Sequence, residues 1–236
     1  MRRRRHEPAA QMELALESRS KWGGKRAGSG RKKSEKRIGV SHEARQPHAR
    51  RFPVHVTLRA VREVGHLRAK KPFAVIREAM QAARKKARAG FRLVHFSVQG
   101  NHMHLIVEAQ DAKALGRGMQ GLAIRIARGV NRLLRRSGKV FSDRYHRHDL
   151  KSPRETRNAL AYVLQNHRKH AFERGERCER GWTDPCSSAE FFDGWSHRRR
   201  FISPDDDDAP VAAPKTWMLT KGWQLHSRLI SPDHGF

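Results

Sequence analysis

The sequence predicts an α+β fold of the ferredoxin-like (RRM-like) type, an antiparallel sheet with helices on one face and one further helix. Three observations predict it. Short segments alternate apolar and polar residues with a period of two, as half-buried strands do, and longer segments repeat apolar residues every three or four positions, as amphipathic helices do. The segments follow in the order strand, helix, strand, strand, helix, strand, helix, which contains two split βαβ units. The pattern begins near Pro53.

Each element has its own signal in the sequence. The predicted elements are a strand at residues 54–59, a helix at 73–87, strands at 91–99 and 102–108, a helix at 115–133, a strand at 140–150 and a helix at 153–175. Gly90 ends the first helix, and Gly100–Asn101 is a turn signal that pairs the second and third strands as a hairpin. The last helix opens with Ser152, Pro153 and Glu155, which form a capping box with proline at the first helical position.

The chain outside the domain of residues 51–175 divides by composition. It comprises a basic arm at residues 1–50, an extension at 176–202, an acidic, proline-rich linker at 203–214 and a tail at 215–236. Glycine between cations gives the arm a flexible backbone that can follow a groove. We expect the arm to contact DNA, as an AT-hook does; a solubilising tail is the alternative. The expected DNA contacts are Lys25, Arg26, Arg31, Lys32 and Lys33, with Arg144 inside the domain.

Charge is the strongest compositional signal. The 51 Lys and Arg residues against 23 Asp and Glu give a formal net charge of +28, far above the magnitude of about 2–8 that suits a small domain. A polyanion relieves this self-repulsion, so nucleic acid is the expected partner. No apolar run approaches the roughly 18–20 residues of a membrane span, and neither a secretory signal nor a disulfide framework is visible. We expect a cytoplasmic, nucleoid-associated bacterial protein with no membrane partner.

Two histidines share one face of the third strand. A period of two places His102 and His104 on one side and Met103 on the core side. Two imidazoles side by side on a rigid strand can bind one divalent cation. The run His146-Arg147-His148 has the same spacing, but its central arginine would point a charge into the core. The first pair is therefore the better metal candidate, and the second is expected to face solvent or phosphate.

The last helix carries a tyrosine away from its apolar stripe. At 100° per residue, Tyr162 lies roughly opposite the stripe that begins at Leu160, and beside Gln165 and Asn166. A structural tyrosine would share the stripe. The functional interpretation is a phenol nucleophile with an amide oxygen available to a metal; the alternative is a surface tyrosine that covers part of the sheet.

Together these motifs resemble those of HUH-type single-tyrosine transposases. His102-Met103-His104 resembles their His-hydrophobic-His motif, and Ala161–Asn166 resembles their tyrosine helix. Residues 140–145 are similar to the REP-associated tyrosine transposase branch, although that branch often has Asn-Pro where this chain has Asn166-His167. The resemblance covers about residues 53–175.

The resemblance implies an enzyme of DNA transposition. Such enzymes bind hairpin-forming single-stranded DNA, use Mg²⁺ or Mn²⁺, and cleave by tyrosine attack to leave a 5′-phosphotyrosine and a free 3′-OH. It implies Tyr162 as the nucleophile and His102 and His104 as metal ligands. Asn166, one turn after the tyrosine, would be the third ligand, with Gln165 as its substitute. Family members are often dimers, so a homodimer stays open.

Two other classes of function stay open. A catalytically inactive nucleic-acid-binding regulator would keep the fold and the charge. An RNA-recognition-type module would also need paired aromatic residues on one face of the central strands. Strict alternation places Phe91 and Phe96 on opposite faces, so this pair is not provided. A zinc-dependent hydrolase would need an acidic ligand near His102, and Glu108 lies three strand pairs along. The only other tyrosine, Tyr145, is expected to be structural or base-stacking and is the control for Tyr162.

Overall fold

A computed structural model describes residues 47–85, 90–197, 201–225 and 229–233. The five arm cations that the sequence predicts as DNA contacts lie outside the described residues; they are Lys25, Arg26, Arg31, Lys32 and Lys33. None of the described helices combines the length and the apolar character that crossing a bilayer requires.

Four strands form one antiparallel sheet in the order β2-β3-β1-β4. The strands are β1 (Val54–Arg59), β2 (Phe91–Val98), β3 (His102–Ala109) and β4 (His146–Asp149). The helices are α1 (Lys70–Lys85), α2 (Ala112–Leu133), α3 (Pro153–Glu173) and the short α4 (Trp217–Thr220), with single 3-10 turns at Arg62–Val64, Ala189–Phe191 and Gly222–Gln224. This strand order is that of two interlocked split βαβ units, so the predicted fold class is confirmed.

The helices α1 and α2 pack on one face of the sheet and bury its main core. Met103, Leu105 and Val107 of β3 are buried there, as alternation along the strand predicts. The buried residues of α2 recur at the predicted helical spacing; they are Leu115, Met119, Leu122, Ile126 and Val130. Each fully buried side chain of this size contributes roughly 1.5–3 kcal/mol through removal of apolar surface from water. This face positions β3 so that its other face carries the predicted histidine pair.

A β-bulge in β2 overturns one expectation about the faces of this strand. Strict alternation places Phe91 and Phe96 on opposite faces, but the register shifts between Leu93 and His95. The extra residue, Val94, reverses the alternation. Phe91 and Phe96 therefore both pack on the core under α1 and α2, and the expectation of opposite faces is wrong. The bulge leaves no paired aromatics on the other face of β2.

The last strand is shorter than predicted. Pairing is limited to His146–Asp149, whereas alternation predicts a strand over residues 140–150. Phe141 makes only an isolated bridge with Ala60. After it, the Asp143 carboxylate accepts a hydrogen bond of 2.7 Å from the next amide in the chain, a local bond that competes with strand pairing. The chain bends here before it enters β4.

The second face of the sheet is covered by α3 and by the C-terminal chain. Ser152 caps α3 as predicted, since its Oγ accepts from the Glu155 amide at 3.2 Å, and Gly175 follows the helix end with a φ of 76°. The apolar stripe of α3 packs in a second core with Trp195 and Trp223. The covering residues from α3 are Ala159, Leu160, Val163 and Leu164. The tyrosine helix thus lies on the same face as the histidine pair.

The C-terminal chain also runs alongside α3. Arg157 donates to the carbonyl of Leu229 at 2.8 Å. Gln165 donates to the carbonyl of Ser231 at 2.6 Å, and Arg168 pairs with Asp233 further along. The helix is therefore held between the sheet and the chain that follows residue 228.

A buried carboxylate at the far end of β3 holds the chain that leads into α4. Glu108 accepts hydrogen bonds from the amides of Lys215 at 3.0 Å and Thr216 at 2.7 Å. It also pairs with Arg92 at 2.9 Å. Val211, at the end of the acidic, proline-rich segment, is buried against the main core. This part of the chain therefore packs on the edge of the sheet beside β2.

Candidate active site

The second face of the sheet brings a group of polar rings together at its centre. Thr57 of β1 lies directly opposite His104 of β3, and Arg59 lies opposite His102. His55 is two residues before Thr57 and projects from the same face. Because β1 and β3 are the two central strands, these side chains stand on the most firmly held part of the backbone.

The predicted histidine pair is closely spaced. The Nε2 atoms of His102 and His104 are 3.0 Å apart, with their rings nearly perpendicular. Two nitrogen ligands about 2.1 Å from one ion and at a right angle are about 3.0 Å apart. On the outer side, His102 Nδ1 lies 2.8 Å from the Asn101 side-chain oxygen, which is an acceptor. A proton on His102 Nδ1 would be donated to this oxygen, and the Nε2 lone pair of His102 would then face His104.

Tyr162 reaches the same point from α3. Its hydroxyl lies 3.3 Å from His104 Nε2, and the two rings meet edge to face with centroids 5.0 Å apart. Burial raises the pKa of Tyr162, and the Asn166 amide beside the phenol opposes that rise. The ammonium group of Lys169 lies 5.9 Å from the centre of the phenol ring. The phenol is thus half-buried beside two imidazoles and a cation.

The two carboxamides after Tyr162 have different surroundings. The side-chain amide of Gln165 donates a hydrogen bond to the carbonyl of Ser231. Asn166 is fully buried, and among the described residues neither its Oδ1 nor its Nδ2 makes a hydrogen bond of ordinary geometry. A buried amide that lacks ordinary hydrogen bonds costs about 1–3 kcal/mol. Of the two residues, Asn166 lies beside Tyr162, and Gln165 is held by the C-terminal chain.

The imidazoles of the site are held neutral. Burial, together with the neighbouring His102 and His55 rings, lowers the pKa of His104 to about 3. Burial lowers the pKa of His55 to about 4, with His148 and His146 adding to the effect. Burial also lowers the pKa of His102. Neutral imidazoles with exposed lone pairs are what a metal requires.

The donor set at this point suits a divalent cation with open positions. It combines the Nε2 atoms of His102 and His104 with the buried amide of Asn166. In the part of the chain that the structure describes, no three His, Cys, Asp or Glu side chains form a metal-binding group. A metal here would therefore be held by two imidazoles, one amide oxygen and water, which suits Mg²⁺ or Mn²⁺ better than a closed structural zinc site.

The remaining predicted residues lie outside the group formed by His102, His104 and Tyr162, although His148 and His146 are the cross-strand partners of His55 and Thr57. His146 and His148 are exposed on the edge strand β4, where His148 pairs with Glu155 and the intervening arginine pairs with Asp149. Tyr145 packs against the main core, under the opposite face of the sheet from Tyr162. Arg144 is half-buried just before β4.

Sequence reasoning did not assign a role to two residues of the site. His55 Nε2 and Thr57 Oγ1 each lie 3.2 Å from His104 Nδ1. The signal was present, because a histidine and a threonine alternate with valine in β1 on what proves to be the histidine face. It required the pairing register between β1 and β3, which the sequence of one chain does not specify.

Comparison with known proteins finds similar chains among solved structures. No protein-family model matches the chain, and no curated protein matches it. Among solved structures, a similar chain is that of a REP-associated tyrosine transposase bound to a REP hairpin. It is 15% identical, the alignment covers 63% of this chain and 82% of that chain, and the TM-score is 0.47. At this level of similarity the likeness assigns no role to any residue of this protein.

Proposed function

We propose that this protein cleaves and rejoins single-stranded, hairpin-forming DNA in transposition or recombination, with Tyr162 as the nucleophile. One observation carries the proposal: the Tyr162 hydroxyl lies 3.3 Å from His104 Nε2, which is itself 3.0 Å from His102 Nε2. A net charge of +28 supports a polyanionic substrate.

The proposed step is the transfer of a phosphoryl group to tyrosine. The Tyr162 oxygen attacks the phosphorus of a phosphodiester, and the bond between phosphorus and the 3′ oxygen breaks. The phenol loses its proton, and the departing 3′ oxygen gains one. The products are a 5′-phosphotyrosine and a free 3′-OH. Attack by a 3′-OH on the phosphotyrosine reverses these changes, so strands can be rejoined without an external source of energy.

The residues around Tyr162 would prepare this step. His102, His104 and Asn166 would hold Mg²⁺ or Mn²⁺, which would supply charge neutralisation at the phosphate oxygens. Tyrosine is a weak nucleophile at its ordinary pKa near 10, and burial raises the pKa of Tyr162 further. The Asn166 amide beside the phenol lowers the pKa, and the nearby Glu173 carboxylate raises it. Activation of the phenol would therefore come from the metal ion.

The test is a denaturing gel with labelled hairpin oligonucleotides, some taken from the flanks of the gene. Wild type is compared with Tyr162→Phe and with the matched control Tyr145→Phe, in Mg²⁺, in Mn²⁺ and in EDTA. We expect a covalent protein–DNA band that requires metal and that is lost only in Tyr162→Phe, because Tyr145 packs on the opposite face.

Two outcomes would contradict the proposal. A band that persists in Tyr162→Phe would mean that another residue is the nucleophile. Tight DNA binding with no covalent band in any metal, on substrates that include the native flanks, would indicate a non-catalytic DNA-binding regulator on this fold.

A further inference from the structure

Strand β1 supplies two neighbours of His104 on the side of the ring that faces away from Tyr162. His55 Nε2 and Thr57 Oγ1 each lie 3.2 Å from His104 Nδ1. The opposite ring nitrogen, Nε2, faces both His102 and the Tyr162 hydroxyl. The two nitrogens of His104 therefore have separate surroundings: one is held by β1, and the other is directed into the candidate site.

The arrangement follows from the sheet register. Thr57 is the direct cross-strand partner of His104. His55 is the next residue of β1 on that face, and its ring centre lies 5.2 Å from that of His104 and 5.9 Å from that of Tyr162. Because β1 is paired on both sides, with β3 and with β4, its side chains have little freedom to move apart. His55 therefore contacts both groups that the proposed chemistry uses.

We propose that His55 and Thr57 are positioning residues that accept a hydrogen bond from His104 Nδ1 and so present the bare His104 Nε2 to a divalent metal ion beside Tyr162. This inference rests on the proposed function, because it concerns the metal ligand of that same site. Partners of this kind fix the tautomer and the ring orientation of a ligating histidine. They would act through His104.

Mn²⁺ binding tests the inference without any reaction. Each residue has a matched pair of substitutions. Gln places an amide oxygen near the position of the His55 Nε2 atom, and Ser keeps the hydroxyl of Thr57, whereas His55→Phe and Thr57→Val remove the acceptors. The free Mn²⁺ concentration is measured by electron paramagnetic resonance, and thermal unfolding of each metal-free variant shows that it is folded.

We expect His55→Phe and Thr57→Val to weaken Mn²⁺ binding by about 10- to 100-fold, the usual effect of losing such a partner. His55→Gln and Thr57→Ser should stay much closer to wild type than their partners. If all four folded variants bind Mn²⁺ as wild type does, the inference is wrong. It is also wrong if Gln and Ser weaken binding as much as Phe and Val, because the role would then be packing alone.

A second readout needs no metal. It uses the His102→Ala background, because the Nε2 atoms of His102 and His104, which are 3.0 Å apart, would otherwise share a proton in the metal-free protein. Two-bond ¹H–¹⁵N spectra of labelled imidazoles report which ring nitrogen of His104 carries the proton. In this background we expect the proton on His104 Nδ1 with His55 or with His55→Gln, and a mixture of tautomers with the double change His55→Phe/Thr57→Val. A proton on Nε2 in the His102→Ala protein would overturn the inference.

Failure of the inference and failure of the proposed function give different results. If wild type binds no Mn²⁺, or if His102→Ala binds Mn²⁺ as well as wild type does, both the proposed metal site and the positioning role are wrong. Wild type that binds Mn²⁺ through His102, with His55→Phe and Thr57→Val unchanged, would remove only the positioning role.

Discussion

At the scale of single residues, the buried amide of Asn166 has a cost that the fold itself does not require. Both polar atoms of its side chain are buried without ordinary hydrogen bonds among the described residues. We expect Asn166→Leu, which is similar in volume, to leave the stability of the metal-free protein unchanged or to raise it by up to about 2 kcal/mol. The same variant should lose the metal-dependent covalent band. Urea unfolding and the denaturing gel measure the two effects.

Gln165→Leu is the neighbouring control. It removes a hydrogen bond to the Ser231 carbonyl, so we expect it to lower stability by about 1 kcal/mol while the covalent band persists. If Asn166→Leu destabilised the protein more than Gln165→Leu does, the amide of Asn166 would have a structural role instead.

A second residue-scale prediction concerns His95, which is buried beside Ser188. Burial lowers the pKa of His95 to about 3. Between about pH 6.5 and pH 3, the unfolded chain therefore binds a proton that the folded chain does not bind, so acid favours unfolding. The contribution of neutral His95 to the free energy of unfolding is fully present above pH 7. It decreases as the pH falls below 6.5, by at most about 1.4 kcal/mol per pH unit for this one group.

Chemical unfolding at pH 7, 6 and 5 checks this prediction. The depressed pKa values of His55 and His104 act in the same direction. The free energy of unfolding of wild type should therefore fall with decreasing pH at a slope that corresponds to the uptake of more than one proton on unfolding. His95→Asn, which does not titrate here, should show a slope smaller by nearly one proton. Identical slopes in the two proteins would show that His95 is protonated in the folded state.

At the scale of elements, Glu108 connects the end of β3 to the chain before α4. Its carboxylate is almost completely buried and accepts from two backbone amides, while its partner Arg92 is partly exposed. We expect Glu108→Gln to lower stability by about 2–3 kcal/mol, because the charge-assisted bonds weaken around a buried group. Limited proteolysis within residues 203–214 should become faster.

Glu190→Gln is the matched control for this prediction. Its carboxylate pairs with Arg77 at the surface, where both side chains are about 40% exposed. Such pairs contribute little, so the change in stability should stay within about 0.5 kcal/mol. Equal effects of the two substitutions would mean that Glu108 does not hold the segment in place.

The elements also show what a single sequence can and cannot predict. Local patterns were sufficient for α2 and for the hairpin of β2 and β3, because period and turn residues act over a few positions. The bulge at Val94 was not predictable, since one extra residue has no signature in alternation. The bend after Phe141 was missed because a side-chain bond from Asp143 competes with pairing.

The candidate site divides in the same way. His102 and His104 share a face by strand geometry alone, and Tyr162 and Asn166 share one by helix geometry, so both pairs were predictable. Their meeting in space depends on how α3 packs over β3, and the role of Thr57 depends on cross-strand register. These are long-range relations that no local pattern encodes.

At the scale of the whole molecule, the net charge of +28 should dominate encounter with DNA. If Arg31, Lys32 and Lys33 each contact a phosphate, replacing all three with alanine removes about 0.7 per contact from the slope of log affinity against log salt for single-stranded DNA. We expect the slope to become shallower by about 2. Fluorescence anisotropy of a labelled hairpin over a NaCl series measures it, and an unchanged slope would make the arm a solubilising tail.

The fastening of α3 on both sides has a consequence for the outcome of the proposed reaction. The helix is pinned by the sheet below and by contacts of Arg157, Gln165 and Arg168 with the C-terminal chain. A strand joined to Tyr162 would therefore stay at a fixed position in the protein. The incoming 3′ end would be the group that moves to the phosphotyrosine. The original 3′ end and a new 3′ end would then compete for the same phosphotyrosine. Their local concentrations would decide whether the original strand is resealed or a new strand is joined.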